Sequence, residues 1–313
     1  MDGSANLQDL DLPLRELLAE LERRGYHFIT PTPATHERNL ARRSQAAPGD
    51  LRDVFGWSRP FQRSNVPDTL VEALERSGML LRQGDRLKSA VRVSRVKGRL
   101  FLHSAFPTDA EDAVFLGPDS YRFADFIERE LPKAARRIVD VGGGGGVGAI
   151  VASGLAPGAD LTITDINPTA LRLARINAAH AGVSLAALQT SGLENVPTGM
   201  DVVLANPPYM AAGGQAYREG GDLHGGELSV EWADAALGKL APGGRLLLYT
   251  GSAILAGGRD QLRAALERTA AARGSTLDYR EIDPDVFGED LETEPYRDVE
   301  RIAVVTAVMT RGA

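Results

Sequence analysis

The 313-residue chain has no cysteine, which excludes disulfides, thiolate metal sites and thiol catalysis. Histidine is scarce too, with five residues scattered at no metal-ligand spacing. No apolar run approaches the roughly 18 residues of a membrane-spanning helix, and the acidic amino terminus lacks the pattern of a signal peptide. A cytoplasmic protein is therefore expected. An excess of base is also missing: the net charge is −7, which is not the footprint of a protein that wraps nucleic acid. The charge is uneven, however. Residues 1–110 hold 17 Lys/Arg against 14 Asp/Glu, and the remainder holds 18 against 28. What is present is ordinary for a globular protein, with 43% hydrophobic and 25% charged residues. The length suits one large or two modest domains.

At the front, Leu7, Leu10, Leu14, Leu17, Leu18 and Leu21 repeat at helical spacing, and Gly25 ends the helix. Thr35 would cap a second helix around Glu37–Arg43, and Asp50 a short third. Asp68 opens a fourth through Leu70, Val71 and Leu74, closed by Gly78. Alternating runs follow at Met79–Arg82, Leu87–Val96 and Leu100–His103, broken at Gly84-Asp85 and Lys97-Gly98. Helices followed by a hairpin predict a small winged-helix-like domain over residues 1–108. The hairpin carries Arg82, Arg86, Lys88, Arg92, Arg95, Lys97 and Arg99. These are either a wing that grips phosphates or an acidic partner, or the solvated face of an amphipathic hairpin. The alternation of basic with apolar residues favours the second.

Over residues 109–313 strands alternate with helices, which predicts an α/β domain on a parallel sheet. The strands are expected at Arg137–Val141, Leu161–Thr164, Leu185–Leu188, the run Val202–Leu204, Arg245–Thr250, Leu277–Ile282 and Arg301–Thr310. Helices are expected at Pro168–Ala181, Leu228–Leu240 and Gln261–Ala272.

Two stretches carry chemistry. Asp140 to Gly146 reads DVGGGGG, where glycines permit a tight turn and let a ligand touch backbone. Gly143, Gly145 and Gly148 also fit the dinucleotide fingerprint GxGxxG, so the run alone does not decide. Asp165 ends the second strand 23 positions after Gly142, where an acid would take ribose hydroxyls. The second stretch is DVVLANPPY, residues 201–209. Its apolar run reads as a buried strand, and Pro207 and Pro208 stop it. Asn206 and Tyr209 are left at the carboxyl edge of the sheet. The Asn206 side-chain oxygen and the Pro207 carbonyl can accept hydrogen bonds from a planar –NH2 group, with Tyr209 stacked on its flat face.

NPPY behind a fourth strand, with Asp140 ahead of the glycines, resembles the class I S-adenosylmethionine-dependent N-methyltransferases. Within that class it is similar to the HemK-type glutamine N5-methyltransferases. The resemblance covers about residues 110–313 and implies a seven-stranded Rossmann-like sheet with its last strand antiparallel. It places S-adenosylmethionine against Asp140, Gly142, Gly144, Gly146, Asp165, Ile166, Gly192 and Asn206. It implies methyl transfer to a nitrogen oriented by Asn206 and Pro207, with Tyr209 stacked on it. The acceptor implied is a protein glutamine amide. A peptide or small-molecule amine, or a base in RNA or DNA, stays as an alternative, with nucleic acid disfavoured by the acidic catalytic half. The front domain is read as substrate recognition or a homodimer surface. A winged-helix binding module with a degenerate catalytic domain is the reading from another class, and the intact Asp140, Asp165 and Asn206 speak against it.

Three features stand apart. The family keeps an adenine-binding acid after the third strand, where this chain has Ser191-Gly192-Leu193. Residues 213–227 form a glycine-rich loop in which Tyr217, Arg218, Asp222, His224 and Glu227 are substrate candidates. Asp283–Glu300 holds eight acids against Arg297 alone, where the glutamine methyltransferases have a short hairpin turn. That segment is either a solvated loop or a surface that repels phosphate.

Overall fold

A computed structural model describes residues 7–43, 48–211 and 219–312. The front half begins with α1 (Leu7–Arg23), which buries Leu14, Leu17, Leu18 and Leu21 completely. Helix α2 (Pro33–Arg42) is capped by Thr32, whose hydroxyl accepts from Thr35 N at 3.3 Å. It therefore starts earlier than Thr35 suggested, because Pro33 is pre-set for the first helical position. Asp50 caps α3 (Leu51–Phe55) as expected, accepting from Arg52 N at 2.8 Å and Asp53 N at 3.1 Å. Helix α4 (Asp68–Arg76) leads to two hairpins. The first pairs β1 (Leu80–Gln83) with β2 (Arg86–Ser89), and the second pairs β3 (Val91–Val96) with β4 (Arg99–Ser104). The single run expected through Leu87–Val96 breaks because the Ser89 hydroxyl bonds Val91 N and O, turning the chain.

The basic hairpin is neither a phosphate wing nor a solvated face. Arg92 is buried and donates to Ser104 O at 2.9 Å. Arg95 reaches Tyr26 O at 2.9 Å and Glu22 at 3.1 Å. Lys88 donates to Phe106 O at 2.8 Å. Lys97 pairs with Asp125 and Glu128, and Arg99 donates to Ile150 O and Ser153. Five of the seven cations thus brace the fold, and only Arg82 and Arg86 stand exposed without such a role.

The second half is a sheet of seven strands in the order β11-β12-β9-β8-β5-β6-β7. Its strands are β5 (Arg137–Val141), β6 (Asp160–Asp165), β7 (Ala186–Gln189), β8 (Met200–Ala205), β9 (Leu240–Leu255), β11 (Ser275–Asp283) and β12 (Val299–Arg311). The short β10 (Arg259–Asp260) pairs with β9. Strands β5 to β9 run parallel, and β12 is antiparallel to both of its neighbours. Val202, Val203 and Leu204 are at most 1% exposed, as expected of a strand covered on both faces. The helices are α5 (Pro118–Glu130), α6 (Val147–Leu155), α7 (Pro168–His180), α8 (Asp222–Gly225), α9 (Glu227–Lys239) and α10 (Gln261–Ala272). No helix among the described residues is long and apolar enough to cross a membrane.

The halves share a core: Ala170, Leu173 and Ile176 of α7 lie in one cluster with Leu14, Val93 and Leu102. At its centre is Asn177, fully buried. Its Oδ1 accepts from Leu102 N at 2.8 Å, and its Nδ2 donates to Leu102 O at 3.1 Å and Gly145 O at 2.9 Å. One side chain joins β4, α7 and the glycine run. Asn177→Ala leaves three buried backbone groups unpaired and should cost roughly 2–4 kcal/mol. Urea denaturation of Asn177→Asp should show a loss of similar size, since a carboxylate cannot donate to either carbonyl.

Candidate active site

The backbone distinguishes the two sets of glycines. Gly142, Gly144 and Gly146 have φ of +58°, +53° and +84°. Gly143, Gly145 and Gly148 do not enter that region, although a Cβ on Gly143 or Gly148 would fall 2.6 Å from Ile163 or Asp140. A Cβ on Gly144 would meet nothing within 4 Å, so the loop is open there to a ligand. Gly146 caps α6.

Two acids hold this loop. Asp140 is 1% exposed and lies beneath it, accepting from Ala149 N at 2.8 Å. A Cβ on Gly148 would fall 2.6 Å from its Oδ2, so glycine there makes room for the carboxylate. The resemblance places S-adenosylmethionine against Asp140, but the carboxylate lies under the loop and acts as a brace for it. Burial pushes its carboxyl up to about 7, with Asp165 acting in the same direction and the Ala149 N–H opposing. Asp165, at the end of β6, accepts from Gly144 N at 3.0 Å and from Asn167 N at 2.9 Å. Burial raises its carboxyl, against those N–H groups. Beside it Ile166 is 63% exposed. Next to it Gly192, at φ +50°, accepts through its carbonyl from the Thr164 hydroxyl at 2.8 Å. Open backbone at Gly144, a carboxylate at Asp165 and an exposed apolar face at Ile166 fit an adenosine-bearing cofactor.

The acceptor stretch lies next to that cradle. In the parallel pair of β5 and β8, Val141 stands opposite Ala205. The following residues, Gly142 and Asn206, are therefore neighbours at the carboxyl edge. Asn206 is half-buried and Pro207 buried.

Known proteins bear on this geometry. Residues 122–267 match the family model of the methyltransferase small domain. The release factor glutamine methyltransferase of Bordetella pertussis is 33% identical over 225 residues, 68% of this chain and 80% of that one. The chain belongs to the class I S-adenosylmethionine-dependent methyltransferases, and it resembles their HemK-type members. The corresponding enzyme of Deinococcus radiodurans is 26% identical over 235 residues, covering 63% of this chain and 84% of its own. Among solved structures, Trm5b of Pyrococcus abyssi shares the fold at a TM-score of 0.53 and 13% identity. The match covers 75% of this chain and 62% of that one.

The acceptor side of this methyltransferase has parts that its sequence did not announce. Tyr209 is 8% exposed, its ring edge-on to Phe287 at 6.0 Å. Gly251 lets it in, since a Cβ there would lie 2.3 Å from the ring. Its hydroxyl is buried without a hydrogen-bond partner among the described residues. Tyr209 is therefore a packed wall, where a free stacking face was expected. Behind it Asp119 accepts from Tyr249 Oη at 2.7 Å, and Arg122 pairs with Asp283 at 2.8 Å.

The acidic segment between β11 and β12 is no solvated loop. Its apolar residues Val286, Phe287, Leu291 and Tyr296 pack on the core, while Glu289, Glu292 and Glu294 face water. The Tyr296 hydroxyl accepts from Ala211 N at 2.7 Å and donates to His224 O at 3.4 Å. Of the substrate candidates, Tyr217 and Arg218 lie outside the described residues. His224 Nε2 is 3.0 Å from Asp298, so it is already engaged. Glu227 accepts from Asp222 N at 2.9 Å, a local helix start. Leu223, His224 and Phe287, each at φ +55°, hold a left-handed backbone that costs L-residues about 1 kcal/mol or more. The apolar residues spaced among the acids were the signal available in the sequence.

The Asp140 carboxyl yields a pH test. Between its ordinary value of 3.8 and about 7, the folded protein keeps a proton that the unfolded chain has lost. That contribution to stability therefore falls as pH rises through this window. The neutral variant Asp140→Asn lacks the slope. Denaturation of both proteins from about pH 4 to about pH 8 should show the variant gaining relative stability, levelling above about pH 7. A difference that stays constant across the window would count against a buried neutral carboxyl.

Proposed function

We propose that this methyltransferase modifies the side-chain amide of a glutamine in a protein. The carrying observation is the register of β5 against β8, which sets Asn206 beside the glycine loop. The bound cofactor supplies a methyl group already activated on a sulfonium, so the chain's own residues act by positioning. The Asn206 Oδ1 and Pro207 carbonyl accept the two N–H bonds of the acceptor amide, holding its plane and aiming its lone pair at the cradle. Tyr209 forms the wall behind. The nitrogen would gain the methyl as the cofactor's carbon–sulfur bond breaks to leave S-adenosylhomocysteine, and one N–H proton would pass to water.

Three things support a protein acceptor over a polyanion. Five of the seven hairpin cations are engaged within the fold, leaving only Arg82 and Arg86 exposed. The exposed acids of the segment between β11 and β12 flank the acceptor side. The named relatives act on release factors, which makes a release factor the first acceptor to try.

Incubation with labelled S-adenosylmethionine, a purified release factor, and fractionated cell protein and RNA should place the label on a protein glutamine, located by peptide mass spectrometry. Asn206→Ala should retain its melting temperature and S-adenosylhomocysteine affinity, yet lose turnover by roughly a hundredfold. Label in RNA with none in protein would replace the glutamine reading with base methylation.

A further inference from the structure

The cofactor pocket lacks the acid expected after the third strand, and neither Ser191 nor Glu194 is buried in its place. We propose that the indole of Trp232 forms the wall of the adenosine pocket there. Trp232 lies in the middle of α9 (Glu227–Lys239), and its ring reaches Gly142 at the carboxyl end of β5. The side chain is half-buried. Its inner side packs on the cluster that contains Leu193, Val196 and Ala233.

The ring spans the two loops that frame the pocket. A Cβ on Gly142 would fall 2.4 Å from Trp232 Cη2, and a Cβ on Gly192 would fall 3.6 Å from Nε1. The benzo end therefore lies at the first glycine of the cofactor loop, and the N–H end at Gly192. Both glycines adopt left-handed φ, +58° and +50°; at Gly142 a side chain would collide with the ring, whereas at Gly192 a Cβ would make only ordinary contact. Thr164, which holds the Gly192 carbonyl, is the residue before the ribose carboxylate Asp165. The indole thus abuts the Gly192 loop, which Thr164 ties to the strand end that carries Asp165.

The chemistry suits that place. A carboxylate contributes a hydrogen bond to one edge of adenine. An indole contributes a flat apolar surface for stacking and one N–H donor for a ring nitrogen. Ile166, exposed beside Asp165, offers a second apolar surface.

The chain has two tryptophans, and Trp57 is remote from the pocket, packed against Phe28 and His36 in the front half. Titration of the full chain with S-adenosylhomocysteine should change tryptophan emission, saturating at the Kd found by calorimetry. The change should vanish in Trp232→Phe, which still contains Trp57. By calorimetry, Trp232→Leu should bind S-adenosylhomocysteine about tenfold more weakly, about 1.4 kcal/mol, and Trp232→Phe should recover most of the loss. Should the leucine variant fail to fold, the emission arm decides. Binding without an emission change in the wild-type chain, or wild-type affinity in Trp232→Leu, would show that Trp232 is only a spacer.

Discussion

A buried carboxamide, with two carboxylates, holds the glycine loop in shape. The glycine loop has no side chains of its own, so its conformation depends on groups brought to it from elsewhere. Asn177 takes the Gly145 carbonyl, Asp165 the Gly144 amide, and Asp140 the amide of Ala149 where α6 begins. Only Asn177 also reaches out of the sheet, through both backbone groups of Leu102. A loop fixed before its ligand arrives avoids the ordering cost of binding. The front hairpin thereby supports the conformation of the glycine loop through the Leu102 backbone.

The acceptor side is arranged differently. There the chain accepts strain, with three non-glycine residues in the left-handed region around Tyr209 and Ala211. Tyr296 and Asp298 tie these segments to the antiparallel edge of the sheet. Local backbone cost is offset by burial of Phe287 and Tyr296 against the core.

Much of the fold was legible in the sequence because parallel strands must be apolar on both faces. Val139 to Val141 and Val202 to Leu204 declare themselves, and the prolines of NPPY mark where the second run ends. The choice among five glycines was not legible, since only backbone angles separate Gly142, Gly144 and Gly146 from the rest. Charge patterning misled at the hairpin: a row of cations does not reveal that carbonyls at Tyr26, Ser104 and Ile150 await them. Helix α5 escaped notice, and with it the bond from Tyr249 to Asp119, across 130 residues. Trp232 reads as one apolar position on a helix until the sheet places Gly142 and Gly192 on either side of it.

The connection between β11 and β12 separates two tasks within one fold. The cofactor cradle is built from β5, β6 and the loops after them, at the far side of β8 from this segment. A change in length or sequence between Asp283 and Val299 therefore falls on the packing around Tyr209 and Ala211 while the glycine loop is left untouched. Loops on a rigid scaffold are where new specificities arise. In this chain the segment that would be altered is also the one bonded to Ala211, so selection on acceptor choice and selection on loop order act on the same few residues.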